Sequence, residues 1–514
     1  MSSSSHISRR QILGGIALAG GQFLMPPLVI SQAQPKTLEL AWKLGWKSAP
    51  EQGFKSFNLS PVSGRVPDGL SGRLFRNGPA LFERGRKRVD HWFDGDGMVQ
   101  SFHLNGQKLH HNGVYVKTTK YLEEKKAGRY LVSGFGTSIG GDSSISGPDD
   151  VNVANTSVIE IGGSLYALWE GGSAYEIDTE TLATGPTKEW GEGLKGLPFS
   201  AHPKTDVDGT IWNFGQGVSG HNLVIYHISK SGSLITAGLV NDVPPGMIHD
   251  FCITDKHLVF VATSLRASRQ SDTYLGRFEY EPQTPQRIII LDKGDLTARK
   301  DYEIPAGFQF HFGNAYSSKD GSSHFSACAG DDTFITKNAR KLVRGNLPEK
   351  AGVKFIKYQI TPNGKVIEEV QLSNLADCEF PQFDQRKIGQ DYRFLYMTAK
   401  TGSKRPVGNA IVKYDMSLGK SDIFNFGDDY LVEEHLFIPK SSSSDEDDGW
   451  LIGTALNIKR ALTGLYIFNA KSVSDGPICI FELPYASLWA FTAIGKTLEL
   501  VGKPNVRFCP QSGH

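Results

Sequence analysis

The sequence predicts an all-β fold, a β-propeller, and three observations carry that expectation. Short β-rich segments follow one another along the chain, separated by Gly, Asn or Asp turns. A theme of strand, loop and second strand ending near an acidic residue recurs at roughly 40–60 residues, the period expected of propeller blades. Helical periodicity is scarce and confined to 121–127 and 336–342. The 57 glycines and 25 scattered prolines among 514 residues suit many tight turns.

The N-terminus reads differently from the rest. Ser8-Arg9-Arg10-Gln11-Ile12-Leu13 precedes an apolar, Gly- and Ala-rich run over 12–30. Ser31-Gln32-Ala33 then offers small residues for cleavage. This layout predicts a twin-arginine signal peptide over 1–33 and export to a periplasm or thylakoid lumen, the alternative being a cytoplasmic chain with an apolar tail. Later stretches fall short of 18 uninterrupted apolar residues, so no further membrane span is expected.

From 34 to 514 no linker or composition break appears, which predicts a single domain. Segments expected as strands are 164–169, 174–177, 210–214, 223–228, 257–262, 287–291, 355–360, 394–398, 410–414, 450–454 and 464–468. The Ser-rich, acidic run 441–448 is expected to be a loop between two strands. Basic and acidic residues nearly balance, 55 against 54, which argues against a nucleic-acid partner. Five cysteines, Cys252, Cys328, Cys378, Cys479 and Cys509, are far apart and show no metal-binding spacing, so they are expected to be free thiols.

Among 14 histidines, His202, His249 and His311 occupy similar places in the blade pattern, each in or beside an apolar run. They are separated by 47 and 62 residues, about one blade each. Equivalent positions on consecutive blades surround one axis, so three imidazoles can converge on a central ion such as Fe, Zn, Cu or Ni. A satisfied core histidine is the other reading of each one taken alone. Glu170, Glu379 and Glu434 also neighbour apolar positions. A core-facing carboxylate needs a partner, and holding an imidazole Nδ1–H would supply it; exposed strand ends are the alternative.

These residues lie within motifs that resemble the carotenoid cleavage oxygenase family. Phe75-Arg76-Asn77-Gly78-Pro79-Ala80 and His91-Trp92-Phe93-Asp94-Gly95-Asp96-Gly97-Met98 are similar to its N-terminal signature. Ala167-Leu168-Trp169-Glu170-Gly171-Gly172, Ser200-Ala201-His202-Pro203-Lys204, His249-Asp250-Phe251, Glu379-Phe380-Pro381 and Glu446-Asp447-Asp448-Gly449-Trp450-Leu451 follow its pattern in order. The resemblance implies a seven-bladed β-propeller with loops capping one face over an axial metal site. It implies one Fe(II) per chain, with His202, His249 and His311 as three ligands and Glu170, Glu379 and Glu434 as their supports. Thr156 resembles a residue that crowds an open coordination position in the cyanobacterial apocarotenoid-cleaving branch.

One departure stands out. The family's fourth histidine lies in a Gly-Phe-His-Gly motif, and here the matching stretch reads Trp489-Ala490-Phe491-Thr492-Ala493. Thr492, a poor ligand, stands at that place; His435 or His514 would substitute only if the fold brought it to the axis. Codons exist for 487–495 which, read from the third base of the serine codon, give Pro-Met-Gly-Phe-His-Gly-Tyr-Trp, so the tail over 488–514 is a candidate out-of-frame translation. Resequencing the gene decides this, because codons incompatible with the shift end the idea.

The implied activity is cleavage of a C=C bond of a carotenoid or apocarotenoid with O2 as co-substrate, giving two carbonyl products. Stilbene-cleaving relatives tend to carry lysine immediately before the first supporting glutamate; Trp169 occupies that place and suits an apolar polyene better than a phenolate. Lignostilbene cleavage remains an alternative, as does an inactive carotenoid-binding propeller. So do a retinoid isomerase on the same scaffold and an unrelated Ca2+-dependent propeller hydrolase. A membrane-dwelling substrate further implies transient contact with a membrane surface through an apolar patch at the cavity mouth; the oligomeric state is left open.

Overall fold

The computed structural model describes residues 38–140, 145–217, 221–349 and 352–487, and the backbone of 492–500. The predicted signal over 1–33 and the tail over 501–514, with Cys509 and His514, lie outside the described residues. Seven antiparallel sheets of four or five strands follow one another, accompanied by two small two-stranded sheets. We number the seven as blades. The first strands of blades 2 to 7 are Ser157–Ile161, Lys204–Thr205, Phe251–Ile253, Phe308–Ser317, Ala376–Gln382 and Tyr430–Pro439. For most neighbours the first strand of one blade touches the first strand of the next, which makes these the inner strands.

Blade 1 is built from both ends of the chain. Leu70–Leu81, Asp96–Asn105, Lys108–Tyr115 and Phe54–Leu59 come from the N-terminal side, and Thr492–Leu500 supplies the inner strand beside Leu70–Leu81. In blade 7, Ser63–Gly64 adds an outer strand to Pro477–Glu482. The ends thus interlock across two adjacent blades, closing the ring and removing the exposed sheet edge that invites aggregation.

Each of the eleven segments expected as strands is one, within one or two residues at most ends. They are chiefly second and third strands, apolar on both faces because each blade is packed between two others. His257–Ala262 and Gly449–Asn457, for example, are buried almost throughout. Large side chains fill the blade interfaces, as where Phe214 of blade 3 meets Phe251 and Phe260 of blade 4 edge-on at 5.4 and 5.3 Å. Both helical candidates are present: Thr119–Ala127 is an α-helix, and the second is a π-helical turn, Phe334–Asn338, running into the α-helix Ala339–Val343. Thr118 caps the first helix by accepting from Tyr121 N, and Gly128 ends it at φ 66°, the left-handed conformation glycine tolerates. The run 441–448 is a loop joining two strands of blade 7. Cys252, Cys328, Cys378 and Cys479 are buried free thiols. No helix among the described residues is long and apolar enough to cross a membrane.

The first helix is fastened to blade 1 by buried charges. Asp96 accepts from Arg84 Nη2 at 2.7 Å and from Lys120 Nζ at 3.0 Å, and Lys120 also donates to Glu124 at 2.9 Å. Removing one charge from such a cluster leaves the others unpaired in a low dielectric. Asp96→Asn is therefore expected to cost about 3–5 kcal/mol of unfolding free energy, measured by denaturant titration.

Candidate metal centre

Seven of the residues singled out in the sequence lie in or just before the inner strands, one per blade. Thr156 precedes Ser157–Ile161, His202 precedes Lys204–Thr205 and His249 precedes Phe251–Ile253. His311, Glu379 and Glu434 lie within the inner strands of blades 5, 6 and 7, and Thr492 begins that of blade 1. Register breaks on both sides of Phe312 and of Glu379, and before His435, show that these strands are bulged where the polar residues sit. A bulge re-aims a side chain, which an unbroken ladder would hold in strict alternation. Phe380, at φ 57°, occupies a costly conformation for a bulky residue, immediately after Glu379.

His202, His249 and His311 converge, all three buried, with candidate ligand atoms within 4.8 Å of one another. His249 Nε2 lies 3.0 Å from His202 Nε2 and 3.3 Å from His311 Nε2. His311 Nδ1 is 2.6 Å from Glu379 Oε2, and His249 Nδ1 abuts Glu170 Oε1. Carboxylates on Nδ1 fix the tautomer that leaves Nε2 as a lone pair. With both carboxylates ionised and both rings neutral, His249 and His311 aim lone pairs at each other, an arrangement that a cation between them would relieve. Two donors bonded to one ion at about 2.1 Å and at right angles lie about 3.0 Å apart, close to the spacing found. The donor set thus fits a metal ion of the kind imidazole prefers.

Electrostatics favour the neutral imidazole at His202 and His311 and the charged form at His249. Burial, then the charges of His249 and His311, holds His202 well below the ordinary histidine range. Burial, with His249 beside it, lowers His311 to about 3. For His249, burial opposes the charge, but Glu170 outweighs it and the net direction is upward. Burial pushes the Glu379 carboxyl up to about 8.

The centre opens onto a cavity of ≈ 380 Å³. Phe93, Phe135, Tyr274 and Phe310 supply aromatic wall, and Thr156, Trp169, Glu170, His249 and His311 bring the centre to its edge. Segments around 133–135, 145–151 and 272–277 contribute further lining. A smaller cavity of ≈ 80 Å³ shares Phe310 and His311 and continues past Glu379 and Phe380. Phe310 packs tilted against His249 with ring centres 4.3 Å apart and Phe380 likewise against His311 at 5.2 Å, flanking the imidazoles with apolar surface.

Glu434 is buried on blade 7 and accepts from Gln382 Nε2 at 2.7 Å. His435 is not part of the cluster. Its Nδ1 pairs with the Glu433 carbonyl at 2.8 Å and its ring packs against Phe468 at 5.7 Å, because successive strand residues face opposite ways. Only the backbone of Thr492 is described; it is paired with Asn77. The lining role of Phe93, Phe135, Tyr274 and Phe310 carries no sequence signal: Phe135 and Tyr274 stand in irregular segments, Phe93 in the short turn Trp92–Asp94, and Phe310 in an inner strand whose ladder is broken beside it.

A family model described as retinal pigment epithelial membrane protein matches residues 49–491. The chain belongs to that family. It is the carotenoid oxygenase family that the motifs resemble, a family of non-haem iron enzymes. Apocarotenoid-15,15'-oxygenase of Synechocystis is 29% identical over 489 residues, covering 88% of this chain and 96% of that protein. Lignostilbene-α,β-dioxygenase isozyme III of Sphingomonas paucimobilis is 28% identical, covering 82% and 90%. Human β,β-carotene 15,15'-dioxygenase is 25% identical, covering 80% and 88%. Among solved structures, cobalt-substituted Synechocystis apocarotenoid oxygenase superposes with a TM-score of 0.78 at 26% identity, over 89% of this chain and 98% of that one. The seven-bladed propeller is therefore common to this carotenoid oxygenase and its structural neighbours.

Proposed function

We propose that this chain is a non-haem iron oxygenase that cleaves one C=C bond of a carotenoid or apocarotenoid. The observation that carries the proposal is the convergence of three imidazoles at the edge of a cavity walled mostly by apolar and aromatic side chains. His202, His249 and His311 would hold the ion, with Glu170 and Glu379 fixing the rings of the last two. When bound, ferrous iron supplies the oxygen chemistry by which O2 adds across a double bond and two carbonyls form. The protein's own part is positional. Phe93, Phe135 and Phe310 exclude water and hold a flat hydrocarbon against the imidazoles, while Thr156 narrows the space beside them. Glu434 and the position of Thr492 complete the ring of inner-strand residues.

The test is anaerobic iron loading followed by O2 and an apocarotenal. Loss of polyene absorbance with release of a shorter aldehyde is expected. An iron-loaded chain that leaves the polyene intact would point instead to a binding or isomerising propeller.

Trp169 presents an aromatic surface to the cavity where a phenolate-binding relative would offer a cation. Trp169→Lys is expected to lower kcat/KM for an apocarotenal about tenfold and to raise that for a 4-hydroxystilbene, both read by product chromatography. Ile145, half exposed at the cavity rim, supports docking of this mouth on a membrane surface. Flotation with neutral phospholipid vesicles tests that contact. Export through the twin-arginine route rests on Arg9 and Arg10, and cell fractionation with Arg9→Lys/Arg10→Lys tests it.

A further inference from the structure

We infer that Asp250, with Lys204, is a positioning clamp that holds the three histidine-bearing strands in register before any metal arrives; this rests on the metal-centre reading above. The strands themselves give little such control. His202 stands just ahead of a two-residue strand held by Lys204↔Trp212 and Thr205↔Ile211. His249 stands just ahead of a three-residue strand. His311 lies in a strand whose ladder is broken on either side of Phe312. Hydrogen bonding within a blade fixes each residue to its own sheet; between blades, the packing of Phe214 against Phe251 and the bonds of Gln216 to Gly246 O and Ile248 N join blade 3 to blade 4, and neither reaches blade 5.

Asp250 joins all three. Its Oδ1 accepts from Lys204 Nζ at 2.7 Å, two residues after His202 on blade 3. The same oxygen accepts from Phe251 N at 2.7 Å on its own blade, next to His249. Its Oδ2 accepts from Phe312 N at 3.0 Å on blade 5, the residue after His311. The carboxylate is 3% exposed, so the charge-assisted bonds are little screened. Lys204 also lies 5.7 Å from the centre of the Phe251 ring, which limits where its ammonium can go. His202 has most need of the clamp. Glutamates orient His249 and His311, whereas His202 donates its backbone N–H to Ser200 Oγ and its ring meets His249 and His311 edge-on, with no carboxylate against its ring among the described residues.

An asparagine at 250 keeps the size but has one acceptor oxygen where the clamp uses two. Its amide N–H2 must then face either the Lys204 ammonium or the Phe312 N–H. The test uses the full chain and Co(II) as probe, following its visible d–d absorption during titration. Asp250→Asn and Lys204→Met are each expected to weaken Co(II) binding about 10–100-fold and to alter the band positions, while Lys204→Arg keeps both near the parent. Lys413→Met is the control. It breaks another partly buried pair, between Lys413 of blade 6 and Asp447 in the loop of blade 7 at 2.6 Å, and it should lower thermal stability without changing Co(II) affinity or spectrum. Parent-like affinity and bands in Asp250→Asn overturn the clamp, as does an equal loss in Lys413→Met. If Asp250→Asn fails to fold, Lys204→Met decides alone on the same criteria. A parent chain that takes up no Co(II) overturns the metal-centre reading and the clamp together.

Discussion

Thr492→His is expected to raise the metal affinity of this chain by at least about tenfold, the lower end of what even an indirect supporting group contributes. The position is set by backbone. Thr492 begins the inner strand of blade 1 and pairs with Asn77. Asn77 Nδ2 donates to the carbonyls of Ala154 and Ser157 at 2.9 and 3.0 Å, either side of Thr156. Ser157 Oγ in turn donates to the Ala201 carbonyl, next to His202. Hydrogen bonds thus link the start of the closing strand to the level at which the histidines converge. That strand also lies between the inner strands of blades 2 and 7, and blade 7 carries Glu434. A histidine there adds a fourth neutral donor without adding charge. Metal retained through desalting against a chelator checks the expectation; unchanged retention would place 492 away from the ion. If resequencing shows an out-of-frame tail, the natural chain already carries that histidine, and it should behave as Thr492→His does.

His249→Ala is expected to reduce metal binding at least about 100-fold and to bring polyene bleaching to background. His249 is the middle member, 3.0 and 3.3 Å from its two neighbours, and its loss leaves two donors and strands the Glu170 carboxylate. Losing one of three donors exceeds the 10–100-fold that a supporting carboxylate costs. Calorimetric titration with Co(II) measures the first effect and absorbance decay of an apocarotenal the second. Near-parental metal affinity in this variant would mean that the imidazoles are a packed core cluster.

The middle strands were legible because being packed between two blades makes them apolar on both faces and β-branched, as in Leu223–Ile228 and Gln286–Asp292. Outer strands such as Val366–Gln371 are exposed and carry Glu368 and Glu369, so they could be read only as the second arm of a recurring hairpin. Inner strands were the hardest. Tyr430–Pro439 holds Glu433, Glu434 and His435 in an almost wholly buried segment, a pattern with no meaning until the axis is known. The three histidines were visible through blade-length spacing, and Glu170 and Glu379 as candidate supports, but which carboxylate sits on which ring was not, since Glu170 is 79 residues from His249 and Glu379 is 68 from His311. Asp250 and Lys204 stood inside the quoted motifs. Their shared role needed the coordinates, because it joins backbone and side chain across three blades.

On the proposed function, three imidazoles from blades 3, 4 and 5 bind one ion. X-ray absorption at the metal edge of the chain loaded with one equivalent of Fe(II) or Co(II) tests it most directly. Three imidazole scatterers at about 2.1 Å are expected, falling to two in His249→Ala. A shell of oxygen donors alone, unchanged by His249→Ala, would contradict it.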